Sequence, residues 1–161
     1  MKQLWDLTGA VEENTLEWRD RQMNKQNYKI LIVDDERDIL ESLKKNLVLE
    51  GYCVETTDDS EEALERIKND KFHIVLTDIV MPKMDGIELL REIKSYDALA
   101  QVIMMTGYST MDKTIKSLES GANDYILKPF KSVEYVISII NLSIDKLERW
   151  RDSIRGIVKE I

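Results

Sequence analysis

The stretch Lys29-Ile30-Leu31-Ile32-Val33-Asp34-Asp35 decides how this 161-residue chain is read. Four consecutive apolar residues, mostly β-branched, offer no polar side to water. Such a run reads as a strand buried on both faces of a parallel sheet. It stops at two carboxylates. A helix follows, with Ile39, Leu40, Leu43, Leu47 and Val48 on one face and Gly51 as its stop. The alternation then repeats down the chain. Tyr52 to Thr56 reads as a second strand, and Asp59-Ser60 opens a helix carrying Ala63, Leu64 and Ile67. Ile74-Val75-Leu76 is a third strand that ends at Asp78, and the loop Met81 to Gly86 leads to a helix with Ile87, Leu90 and Ile93. Val102 to Met105 is a fourth strand ending at Thr106, and Gly107 to Thr110 opens a helix with Ile115 and Leu118, closed by Gly121. Asp124 to Leu127 is a fifth strand, followed by Lys128-Pro129, and Lys131 to Ile161 reads as one long helix. Five strands alternating with five helices imply a doubly wound α/β fold, a parallel sheet covered on both faces.

Upstream of this unit, residues 1–28 are polar and helix-prone, with Leu4, Leu7, Val11 and Trp18 in a weak amphipathic stripe and Asn24 to Asn27 as a linker. This gives a helical leader over 1–28, a central domain over 29–142 and an extension of the last helix over 143–161. The net charge is −8, from 23 basic and 31 acidic residues, with no cluster of Lys and Arg. That balance argues against nucleic acid as a direct partner. Cys53 is the single cysteine, which suits a reducing cytoplasm and forbids an intrachain disulfide. No apolar run approaches a membrane span, and the N-terminus has no signal-peptide core.

In a parallel sheet the strand ends share one edge, which is where ligands bind. Asp34 and Asp35, Asp78, Thr106 and Lys128 all fall there. Crowded carboxylates repel one another unless a cation sits among them. Oxygen ligands without His or Cys suit Mg²⁺. Carboxylates, Mg²⁺, a lysine and a hydroxyl together describe a phosphoryl site.

The strings IVDDE at 32–36, LTDIVMPKMDG at 76–86, MTG at 105–107 and YILKPF at 125–130 resemble the receiver domain of two-component response regulators, of the stand-alone type. The resemblance covers residues 29–142. It implies a flavodoxin-like sheet of order 2-1-3-4-5 and a phosphoacceptor rather than an enzyme in the ordinary sense. Asp78 matches the residue that takes phosphate from a sensor histidine kinase. Asp35, Asp78 and the backbone carbonyl of Val80 match the direct Mg²⁺ ligands, and Asp34 matches the holder of a metal-bound water. Lys128 and Thr106 match the contacts to the phosphoryl oxygens. Tyr125 matches the aromatic residue that moves with Thr106, and the peptide before Pro129 is expected to be cis.

Other readings are weaker. His73 lies about 16 Å from Asp78 along an extended strand, at the wrong edge to serve as a base. Gly107-Tyr108-Ser109 lacks the small residue and the following His of a hydrolase nucleophile elbow. A haloacid-type phosphatase needs an acid two residues after its nucleophile, and position 80 is Val. There is no G-x-G-x-x-G and no Walker lysine. After a last helix of ordinary length only about fifteen residues remain, too few for a helix-turn-helix, so output is expected through protein contact on the fourth helix, fifth strand and fifth helix. Val133, Ile140, Leu147, Ile154 and Ile161 recur every seven residues, a coiled-coil-like stripe. It allows a homodimer through the last helix and the leader, and leaves open an interaction or dimerisation module with a vestigial phosphoacceptor site.

Overall fold

The computed structural model describes residues 24–107 and 110–159. The expected leader helix, apart from its last residues, lies outside them. Five parallel strands, β1 (Lys29–Val33), β2 (Cys53–Thr57), β3 (Ile74–Asp78), β4 (Gln101–Thr106) and β5 (Asp124–Leu127), form one sheet in the order β2-β1-β3-β4-β5. The helices are α1 (Arg37–Leu49), α2 (Ser60–Asn69), α3 (Gly86–Tyr96), α4 (Met111–Glu119) and α5 (Val133–Lys159). No helix among the described residues is long and apolar enough to cross a membrane.

Period-two alternation sorts the strands onto two cores. Ile30 and Ile32 face α1 and α5, packing with Leu43, Leu47, Ile140 and Ile144. Leu31 and Val33 face the other way, onto Ala63, Ile67, Leu90 and Ile93. That is why β1 shows no polar residue before Asp34. Asp59 and Asp85 cap α2 and α3, each side chain accepting two backbone N–H bonds at the helix start. α4 is attached differently. Its buried residue is Ser117, while Ile115 and Leu118, the apolar marks of this helix in the sequence, are exposed, as is Met111.

The residues read as a linker, Asn24 to Asn27, contain a short 3-10 turn, Lys25–Asn27. Tyr28 after it is buried in the core under α5. Lys25 bonds Glu50 at 2.9 Å and lies 5.2 Å from the Tyr52 ring centre, which anchors the turn to the end of α1. Tyr52 itself is buried outside β2, its hydroxyl 2.5 Å from Asn141 Oδ1. These contacts extend the covered part of α5. Burial continues to Leu147, and the Tyr28 hydroxyl donates to Glu148 at 3.2 Å.

His73, the single histidine of the chain, sits just before β3 at the edge opposite Asp78. Its Nδ1 accepts the Lys29 N–H at 3.0 Å, and its ring meets Tyr28 edge-on. Accepting that bond requires an unprotonated Nδ1, so the neutral ring carries its proton on Nε2. Burial, with Arg151 and Lys71 nearby, holds its pKa below the usual 6.5. The unfolded chain therefore binds more protons between the folded and unfolded values. Stability is complete above about pH 6.5 and declines as pH falls through the folded pKa. Urea midpoints at pH 7.5 and 5.5 should show that loss, and His73→Asn should shrink it. An equal loss in the variant would locate the titration elsewhere.

Candidate functional site

The parallel register delivers the expected residues to one edge. Val33 pairs with Thr77 and Asp78 with Met105, so Asp34, Asp35 and Asp78 emerge side by side. Thr106 pairs with Leu127, and the Lys128 N–H donates to the Thr106 carbonyl at 2.9 Å, extending the ladder by one residue. The Lys128–Pro129 peptide is cis.

Oxygens of Asp34, Asp35 and Asp78 all lie within 4.8 Å of one another. Asp34 is fully buried, Asp78 and Thr106 are buried, and Asp35 is exposed. Lys128 Nζ donates to Asp34 Oδ2 at 2.6 Å, Glu36 Oε1 at 3.0 Å and Asp78 Oδ2 at 3.2 Å. Asp78 Oδ1 accepts the Ile79 N–H at 2.7 Å, which fixes the carboxylate plane and leaves Oδ2 toward the lysine. Burial pushes the Asp34 carboxyl above its ordinary range, against the pull of the Lys128 hydrogen bond. The opposite balance holds at Lys128. Burial works to lower its pKa, and the bonds to Asp34 and Glu36 outweigh it and raise it.

Four carboxylates against one ammonium leave an excess of negative charge, with Asp34 and Asp78 buried and Asp35 and Glu36 open to water. The donor set is oxygen throughout, and a hard divalent cation such as Mg²⁺ fits it. Such a cation, when bound, would neutralise developing negative charge on a transferring group. Val80 follows Asp78 by two residues, its N–H 3.4 Å from Asp78 Oδ1 and its side chain half exposed.

Thr106 and Tyr125 lie on adjacent strands and face the same side. Tyr125 pairs with Met104, two residues before Thr106, and packs against the α2 and α3 core. The Tyr125 hydroxyl is buried without a hydrogen-bond partner among the described residues.

Three residues escaped the sequence reading. Glu36 is the third partner of Lys128, with 61% of its side chain exposed. Its position directly after the paired aspartates was the available signal. Lys83 holds a left-handed backbone, φ 64°, and its ammonium bonds Asp59 at 2.6 Å, tying the β3–α3 loop to the start of α2. Gly86 packs its Cα against the Asp78 backbone, and its N–H donates to the Ile79 carbonyl at 2.8 Å.

A doubly wound sheet of this order, with a lysine-bridged acidic cluster at its carboxyl edge, defines a CheY-like signalling module. The chain belongs to the response regulator receiver domain family, whose profile matches residues 30–140, more than half of the chain. It is 37% identical over 102 residues to response regulator MprA of Mycolicibacterium vanbaalenii, covering 63% of this chain and 44% of that one. The Mycobacterium leprae MprA is 35% identical over 111 residues, covering 69% and 49%. The chain thus spans less than half the length of these curated relatives. Among solved structures, a CheY-like receiver domain protein from Methanospirillum hungatei superposes with a TM-score of 0.74 and 38% identity, covering 76% of this chain and 97% of that one. The beryllofluoride-activated NtrC4 receiver domain dimer gives 0.70 and 34%, covering 74% and 98%. Receiver domains are signalling modules of two-component systems rather than enzymes in the ordinary sense.

Proposed function

We propose that this chain is a phosphorylation-dependent response regulator that accepts a phosphoryl group on Asp78 from a sensor histidine kinase in the cytoplasm. The observation that carries the reading is the convergence of Asp34, Asp78 and Lys128 at one edge, with Asp35 and its charge beside them. An Asp78 oxygen forms the bond to phosphorus as the phosphorus–nitrogen bond of phosphohistidine breaks. The electron pair leaves on the imidazole nitrogen, which takes up a proton. Lys128 steadies the phosphoryl oxygens, and the Thr106 hydroxyl donates to one of them. Asp35, Asp78 and the Val80 carbonyl would hold Mg²⁺, with Asp34 acting through a bound water.

The new charge draws Thr106 toward the phosphoryl group, and Tyr125, on the same side of the sheet, repacks in response. The signal leaves through contact with a downstream protein. The exposed Ile115, Leu118 and Leu127, on α4 and at the end of β5, supply the apolar surface for it. Intact-mass measurement after acetyl phosphate treatment tests the reading. The chain should gain one phosphoryl group with Mg²⁺ and none with EDTA. No gain would leave an interaction module with a vestigial site, and an equal gain in EDTA would remove the metal from the reading.

A further inference from the structure

Lys94, near the end of α3, ties three parts of the chain together at the sheet edge opposite Asp78. Its Nζ donates to the Ala100 carbonyl at 2.6 Å, just before β4, and to Asn123 Oδ1 at 2.7 Å, just before β5. The same Oδ1 accepts the Val102 N–H at 2.8 Å, so Asn123 is held from two sides. The aliphatic stem of Lys94 runs past Gly121, which has a left-handed backbone at φ 93°.

Both partners of this ammonium group are neutral, and among the described residues no carboxylate pairs with it. Lys29, Lys71, Lys83 and Lys128, by contrast, each bond at least one carboxylate. Two acceptors match the two N–H bonds of a neutral amine, whereas an ammonium would hold a third proton that neither receives. Burial acts in the same direction. It lowers the Lys94 pKa to about 8, with Lys146 on α5 adding repulsion. Asp97 pulls the other way, and its carboxylate is bonded to Lys71. At pH 7 about a tenth of the amine is neutral, against about one part in three thousand at the ordinary lysine value of 10.5. A desolvated neutral lysine is a nucleophile. The residue is half-buried rather than enclosed, which leaves it open to a small solute.

We propose that Lys94 is an acylation site, whose amine takes the acyl group of a small acyl phosphate. The nitrogen lone pair bonds the acyl carbon. The carbon–oxygen bond to phosphate breaks, its electron pair stays on the phosphate oxygen, and the nitrogen gives up one proton to water. The product amide is uncharged and keeps one N–H for two acceptors. Modification therefore removes a hydrogen bond from the joint between α3 and the turn before β5. The site is independent of the phosphoacceptor reading, since the bond forms to carbon and the residue lies at the other edge.

Peptide mapping of the full chain after acetyl phosphate treatment in EDTA tests this, because acetyl and phosphoryl groups differ in mass. At pH 7 Lys94 should be acetylated about tenfold or more faster than the exposed Lys44, Lys45 and Lys68. Its advantage should narrow as pH rises above about 8. Asn123→Asp keeps the acceptor and sets a carboxylate against the amine. It should slow Lys94 by about tenfold or more and leave the three exposed lysines unchanged. A Lys94 rate equal to theirs at pH 7 would overturn the proposal. So would an advantage that persists in urea, which places the reactivity in the local sequence. An advantage that survives Asn123→Asp, in a variant whose far-ultraviolet spectrum matches the parent, would overturn it as well.

Discussion

Asp78→Asn should abolish phosphoryl labelling, lowering the yield by about a hundredfold or more, because an amide is a poor nucleophile toward phosphorus. Asparagine keeps the shape of the side chain, and its Oδ1 can still accept the 2.7 Å bond from the Ile79 N–H. The variant should therefore fold, and its far-ultraviolet spectrum should match the parent. Asp34 and Asp35 lie within 4.8 Å and are the obvious substitutes as acceptors. Asp34 is fully buried and held by Lys128 at 2.6 Å, so it is poorly placed to attack. Asp35 is exposed, and peptide mapping would detect any label that moved there. Full labelling of the variant at the parent rate would remove Asp78 from the reaction.

Gly86→Ala should cost about 3 kcal/mol or more, at the upper end of what overpacking does. A Cβ at this position would stand 1.9 Å from the Asp78 carbonyl oxygen, 2.8 Å from its carbon and 2.9 Å from Ile79 Cα. All three are backbone atoms, so no side chain can swing aside. Relief requires the start of α3 to move away from Asp78, breaking the 2.8 Å bond from the Gly86 N–H to Ile79. Labelling at Asp78 should fall with stability. Gly156→Ala is the contrast. It lies in α5 with nothing within 4 Å of an added Cβ. There the methyl should stabilise by about 0.5–1 kcal/mol through helix propensity alone. Urea unfolding of both variants settles the comparison, and a Gly86→Ala midpoint equal to the parent's would contradict the close packing.

Why some of this was legible in the sequence and some was not follows from the range of the forces involved. The unbroken apolar run Ile30–Val33 identifies a strand covered on both faces, and it is covered on both. Strand ends are local events, so Asp34, Asp78, Thr106 and Lys128 could be placed on one edge from their positions alone. The placement of His73 at the other edge followed in the same way. Contacts that depend on distant elements were not visible. Glu36 reaches Lys128 across 92 positions. The packing of Gly86 on Asp78 depends on how the β3–α3 loop folds back. Leu147 is buried beside the point where the Tyr28 hydroxyl bonds Glu148, a contact that spans 120 positions. On α4, helical spacing marked Ile115 and Leu118 as apolar but not which way they face, and they face outward.

An ammonium has three protons, and Lys128 has three carboxylates to receive them. It is full. A further anion entering the pocket can bond to it only by evicting a resident, and burial decides which one leaves. Displaced Asp34 would be stranded away from water, at the full cost of an unpartnered buried charge. Displaced Glu36 is already mostly hydrated and would turn into solvent at little cost. The third seat on the lysine is therefore held by a tenant that can vacate it, so an entering anionic oxygen would find a donor already aimed at it. One partner is exchanged for another, with no proton on the ammonium idle before or after.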